Sequence, residues 1–301
     1  MKRILVLLAA GLATVAAVQA SSAAFTASAQ NANASFATAT DWVAPAVTVG
    51  APANGARTTD DTPALSGAAG NATGDATTVS VKIYSGSSAS GSAVQTLTPT
   101  RSAAAWSATA TTLVDGTYTI QATQADSAGN TGTSAANTFV VDTTRPAAAA
   151  VAATNKAGGT AGKLESGDLL TFTYSEAIDP ASVLTGWSGA SMAVNVRVTD
   201  SALNDSVTVL TTANVASISL GSVATGGDYV SGTTTFASTM ARSADGTSVV
   251  VTFGAPSSVK TSAVSAKNMT WTFGIGVKDL AGNTIVTLPA TRAETDADVD
   301  F

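Results

Sequence analysis

The 301-residue chain contains no cysteine and no histidine. Without cysteine no disulfide can staple the fold, so an exported chain of this kind must draw its stability from core burial, chain pairing or bound metal. Without histidine, the Ser-His-Asp and Cys-His arrangements are excluded, and so are the commonest zinc ligands. Aromatic residues make up only 5% of the chain and charged residues only 11%, beside 45% apolar residues. A chain so poor in charge and rich in apolar residues is not a disordered one. Acidic residues outnumber basic ones, 20 to 14, and the formal net charge is -6. An acidic surface repels phosphate backbones and no basic stripe is present, so nucleic acid is excluded as an expected partner while cations are attracted. No Gly-rich phosphate loop precedes a helix.

What is present is small or β-branched, with Ala, Thr, Ser and Val prominent and 26 Gly. Thr and Val favour pleated, half-buried surfaces, and small residues suit short strands and tight turns. Residues 1–24 read as a signal peptide. Lys2 and Arg3 form a basic start, and Ile4 to Val18 is an apolar-to-small run. That run is shorter than the roughly 20 residues of a membrane span. Val18-Gln19-Ala20 and Ser22-Ala23-Ala24 both fit small-x-small cleavage. No second apolar run is seen, so no transmembrane segment is expected after cleavage. Residues 25–45 read as a short hairpin and linker, with Phe25 and Phe36 flanking a polar turn.

Residues 46–145 carry short alternating segments at Val79-Val81-Ile83, Trp106-Ala108, Tyr118-Ile120-Ala122 and Phe139-Val141. Turn residues such as Asn54-Gly55, Asp115-Gly116 and Asp126 to Asn130 separate them. Strands with turn signals every 8–12 residues or so predict an all-β sandwich. Residues 146–291 repeat the pattern at Leu170-Phe172-Tyr174, Val194-Val196-Val198, Val249-Val251-Phe253 and Met269-Trp271-Phe273-Ile275. This unit is larger, with extra hairpins around 200–240. Ser175 to Ser182 can hold one helical turn with Pro180 near its start. Thr143 to Ala150 reads as a short, semi-rigid linker. Residues 292–301 read as an acidic, solvated tail.

The segments DDTPALSG, VSVKIYSG, WSATATTLVDGTYTIQATQADSAGN and TFVVDTTRP resemble the bacterial Ig-like domains of surface proteins and adhesins. Leu113-x-Asp115-Gly116-x-Tyr118 is similar to the tyrosine corner of such sandwiches. TFTYSEAIDPAS with a later DLAGN resembles the Ig-like repeats of bacterial surface-layer and secreted proteins. The AFT step after the signal resembles the start of exported proteins with a SipW-type signal peptide, some of which form surface fibres. These resemblances imply an all-β chain of two tandem Ig-like β-sandwich domains behind a signal peptide.

Asp126 with Asn130, Asp142, and Asp279 with Asn283 place oxygen ligands in turns at strand ends. Calcium takes 6–8 such oxygens, and in tandem Ig-like surface proteins it often stiffens the domain junction, where Asp142 stands. The competing reading is that these Asp and Asn residues cap their own turns. Glu165 with Asp168 and Glu176 with Asp179 are local neighbours on loops, without the opposed placement that glycosidase chemistry requires. No catalytic residues are assigned. Trp106 and Trp271 fall in strand patterns and read as core; Trp42 and Trp187 fall in loops, and Trp187 is the better candidate for a ligand contact. The expected role is that of a non-enzymatic secreted or cell-surface protein, structural, spacer or adhesive. Its expected partners are surface or matrix components, with glycan binding and self-association among the alternatives. A carbohydrate-binding module using exposed aromatics is the main alternative, and a hydrolase ranks last.

Overall fold

The computed structural model describes residues 41–214, 217–256, 264–294 and 301. The expected signal peptide, residues 1–24, and the Phe25–Phe36 hairpin lie outside the described residues. The described chain is almost entirely β, with a single four-residue helix among the described elements. It buries two separate apolar clusters, one drawn from Val47 to Val141 and the other from Ala148 to Phe301.

The first unit contains β1 (Ala56–Thr58), β2 (Ala64–Ala68), β3 (Ser80–Ser85), β4 (Gln95–Leu97), β5 (Ala105–Thr109), β6 (Gly116–Ala125), β7 (Thr131–Thr133) and β8 (Asn137–Val141). One sheet runs β1-β8-β6-β3-β4, with β7 also on β6, and β2 pairs β5 in a second sheet. Alternation explains the packing. Val81 and Ile83 of β3, Ile120 and Ala122 of β6, and Phe139 and Val141 of β8 turn inward to meet Leu65 of β2 and Trp106 of β5. The Trp106 indole N–H donates to Thr48 O at 2.9 Å, so the one polar atom of this core side chain is satisfied. The Tyr118 hydroxyl donates to Val114 O at 2.8 Å, the bond expected of a tyrosine corner.

The second unit contains β9 (Ala148–Thr154), β10 (Leu169–Tyr174), the helical turn α1 (Pro180–Val183), β11 (Met192–Thr199), β12 (Ser206–Leu210), β13 (Ser217–Ala224), β14 (Thr234–Arg242), β15 (Ser248–Thr252), β16 (Thr270–Thr272) and β17 (Thr291–Ala293). Its strands form one nine-stranded sheet in the order β17-β16-β13-β12-β11-β14-β15-β10-β9. The sheet curls until its outer strands face each other, and the Arg292 guanidinium of β17 donates to Ala148 O of β9 from Nε at 3.0 Å and Nη2 at 2.8 Å. Inside, Trp271 is fully buried against Phe172, Tyr174 and Phe273 with ring centroids 5.2, 5.4 and 5.8 Å away. Its indole N–H donates to Leu220 O.

Three expectations change here. The end of the segment read as linker, Ala148 to Ala150, opens strand β9, which pairs with β10 through Leu169↔Thr154 to Tyr174↔Ala148. Alanine has little β propensity of its own, and the pairing partner decides the state. The alternation Met269 to Ile275 yields only the three-residue β16, and Ile275 is exposed at 71% between Gly274 and Gly276. Part of the tail read as solvated is ordered: Thr291–Ala293 form β17, and Phe301 is fully buried against Tyr229 and Phe253.

Because Trp271 joins three aromatic neighbours and a satisfied indole, Trp271→Ala should destabilise the second unit by about 3–5 kcal/mol. Urea denaturation followed by tryptophan fluorescence measures this, and a loss under about 1 kcal/mol would show that the cluster is not the organising core.

Candidate metal centre

The motif Asp-x-Ala-Gly-Asn folds into the same turn twice. In the first unit the Asp126 carboxylate accepts from Ala128 N and Asn130 N at 2.9 and 2.8 Å, and from Asn130 Nδ2 at 2.7 Å. In the second, Asp279 accepts from Ala281 N, Gly282 N, Asn283 N and Asn283 Nδ2 at 2.6–2.9 Å. Gly129 and Gly282 hold φ of 94° and 105°, a conformation that a side chain would strain. The second hydrogen of each asparagine amide reaches back to the segment entering that unit. Asn130 Nδ2 donates to Asp41 O, and Asn283 Nδ2 to Asp142 O, both at 2.7 Å. The entering segments share a pattern, Asp41-x3-Pro45 and Asp142-x3-Pro146. That repeat was open to inspection in the sequence and would have paired each aspartate with its turn.

The five residues expected to ligate calcium therefore do not form one site. Asp126 and Asn130 sit at one end of β6 and Asp142 adjoins the other, since Gly116 pairs with Val141. Ten residues of strand separate them, about 33 Å. Asp126 and Asn130 are engaged in turn capping. The Asn130 bonds hold the Asp126 carboxyl below its usual range, with the Asn130 side chain the first cause.

Asp142, Asp279 and Asn283 do come together, and a residue given no metal role in the sequence reading joins them. Oxygens of Asp142, Glu176 and Asp279 lie within 4.8 Å of one another. Glu176 arrives because it follows buried Tyr174 by two positions and continues the inward face of β10. That period-2 relation was the available signal. One oxygen of Glu176, Oε1, is buried with no hydrogen-bond partner. Burial first, then the charges of Asp142, Asp279 and Asp115, push the Glu176 carboxyl up to about 7. Burial and the neighbouring Asp279 raise Asp142 as well. Like charges this close disfavour full ionisation, and a divalent cation or a proton relieves them. The residues fit calcium in chemistry: three carboxylates brought together at a turn.

The junction around this cluster is tied on both sides. Asp115 Oδ1 accepts from Thr143 N and Oγ1 at 2.8 Å, and its Oδ2 from Thr144 Oγ1 at 2.6 Å. Arg145 donates from Nε to Thr284 O at 2.7 Å and from Nη2 to Ile285 O at 3.0 Å. Val286 N donates to Pro146 O at 2.7 Å.

The other acidic pairs act as local staples. Asp168 is fully buried and accepts from Lys156 N and Glu165 N, while Glu165 faces Lys156 Nζ at 3.8 Å. Asp179 caps α1 through Ala181 N. Asp205, in a second acidic group with Asp200 and Asp228, is fully buried and accepts from Ser201, Tyr229 and Val230 N–H groups. The expected ligand contact at Trp187 is corrected: Trp187 is only 5% exposed, packs in the second core, and donates its indole N–H to Ala190 O at 2.7 Å. A glycine-flanked tryptophan reads as a loop in sequence, but the loop folds inward. Trp42 is exposed at 81%.

Glu176 keeps its proton in the folded state at pH values where an unfolded glutamate has lost it, so its contribution to stability is complete below about pH 4.5 and disappears as pH rises through about 7. In metal-free buffer the melting midpoint should therefore fall between pH 5 and pH 7.5. Glu176→Gln should flatten that slope; an unchanged slope in the variant would remove Glu176 from the account.

Residues 35–143 match the family model described as a bacterial Ig-like domain. No curated protein matches the chain. A solved structure of the fibronectin(III)-like modules of Clostridium thermocellum CbhA is similar over 69% of this chain and 94% of its own, at 15% identity and a TM-score of 0.25. The all-β fold and the Ig-like character of residues 35–143 together describe the kind of chain found in bacterial surface and structural proteins.

Proposed function

We propose that this is an exported, non-enzymatic protein of a bacterial surface or extracellular matrix, in which two Ig-like units serve as a rigid spacer or adhesive element. The observation that carries the reading is the junction. Thr143 and Thr144 are bound to Asp115 of the first unit, and Asp142 and Arg145 to the second, so the connector has little freedom. A rigid tandem extends reach without the entropy of a loose linker. The basic start and apolar run at Lys2 to Val18 support export. Among the described residues no helix is long and apolar enough to cross a membrane.

Calcium is the cofactor this reading carries, held by Asp142, Glu176 and Asp279. It would neutralise the carboxylates that strain the junction and fix the two units together. This places the ion on three residues, only two of which belong to the turns named in the sequence. Carbohydrate binding is the second reading, favoured by the exposure of Trp42 beside Val43.

Protease shaving of intact cells of the source organism tests the surface role, and a chain fully protected until lysis would overturn it. Millimolar calcium should raise the melting midpoint of the protein by several degrees over an EDTA control, by mass action on the native state. Asp142→Asn with Glu176→Gln should abolish that rise. Equal midpoints with and without calcium would remove the metal and leave these residues to turn capping and proton binding.

A further inference from the structure

We propose that the seam joining residues 49–58 to β8 is a shear clamp, which makes the first unit a load-bearing element along the axis of the tandem. The source of the load rests on the surface reading above, and the clamp rests on geometry.

The chain enters and leaves the first unit at opposite ends. Asn130 holds Asp41 O at the far end of β6, and Asp115 holds Thr143 and Thr144 at its start. Tension along the chain therefore draws the entering segment one way and β8 the other. These are the elements that lie side by side. β1 pairs with β8 in parallel, in the register Ala56↔Phe139, Arg57↔Val140 and Thr58↔Val141. Parallel neighbours pulled from opposite ends slide along their own axes, so the bonds between them are loaded together. A hairpin pulled at its open end loses its bonds one at a time.

The seam is longer than β1. Asn137 Nδ2 donates to Val49 O at 3.3 Å and to Pro52 O at 3.0 Å. Thr138 N donates to Asn54 Oδ1 at 2.9 Å, and Gly55 N returns a bond to Thr138 O at 2.7 Å. Asp142 N closes the far end on Thr58 O at 2.9 Å. A strand residue turns its N–H and C=O to the same side, so Thr58, whose carbonyl accepts from Asp142 N, also turns its N–H toward β8, and Arg57 between turns away. Asparagine 137 thus ties down two carbonyls that no ladder bond would reach. The second unit is built otherwise. Its first and last strands, β9 and β17, are not ladder partners, and among the described residues the guanidinium of Arg292 bridges them to Ala148 O.

Single-molecule stretching of the full chain, tethered at both ends, tests the proposal. Rupture of the clamp should release the chain between Thr58 and Phe139, about 290 Å at 3.6 Å per residue. Forced unfolding follows the unfolding barrier, so Thr58→Pro, which withdraws a donor from the seam, should lower the force of that event about twofold or more and leave the event of the second unit unchanged. Asn137→Ala removes two side-chain bonds without altering the backbone and should lower the same event by a smaller amount. If Thr58→Pro fails to fold, Asn137→Ala decides. A release of different length, or wild-type force in the folded variants, would overturn the clamp. Failure of the surface role would instead appear in the shaving experiment, with the force record unaffected.

Discussion

One asparagine amide in each unit does two jobs, and the arrangement of the chain depends on it. One of its hydrogens closes the Asp-x-Ala-Gly-Asn turn on the aspartate four residues earlier, and the other captures the carbonyl of the aspartate that begins the unit. The first bond is local and sets the turn. The second spans most of the unit and fixes where the chain enters. Because both come from one planar group, turn and lead-in cannot move independently. Asp142 is therefore held beside Asp279 by its backbone, whatever its side chain prefers. The acidic cluster at the junction follows from that constraint, as does the short reach of the connector to Asp115.

The cluster shows why turn capping and ion binding are poor opposites here. Asp279 accepts four hydrogen bonds within its own turn, which accounts for its presence without any ligand. Glu176 has no such excuse. Its Oε1 is buried without a partner, and it faces two further carboxylates. A capping role explains the aspartate that sits in the turn; it does not explain a glutamate brought in from the bend after β10. Asp126 caps the equivalent turn in the first unit, where no glutamate is delivered. The Ile178–Asp279 bridge corresponds to Asp75–Asp126, which sets Thr73 opposite Glu176. The surplus carboxylate belongs to the junction alone.

Strand existence was legible wherever alternation was strong. Val79 to Ile83, Leu170 to Tyr174 and Val194 to Val198 all lie on strands or immediately beside them with the inward face as read. The tyrosine corner at Tyr118 was legible because it is a local bond. What failed was non-local. Ala148 to Ala150 carry no β signal and join a strand because β10 is there to pair with them. Trp187 was misplaced because a loop's direction depends on the core it covers. Of the site, Asp142, Asp279 and Asn283 were found through their turn chemistry, whereas Glu176 was dismissed as a neighbour of Asp179. The useful neighbour was Tyr174, two residues before it on the same face.

The two units reach closure by different means, and the difference has consequences for how they resist stress. The second unit closes a nine-stranded sheet on itself through one guanidinium and fills the interior with aromatics, including Trp271 and Phe301. Apolar packing is non-directional, so it stabilises the unit against unfolding as a whole without favouring any axis. The first unit has Trp106 as its one buried tryptophan and relies on hydrogen bonds along one seam. Directional bonds resist displacement in the directions they span. Placing a directional seam between the elements that carry the entering and leaving chain gives the first unit a resistance along that axis that its apolar packing alone would not supply. A chain without cysteine has no disulfide to put at that position.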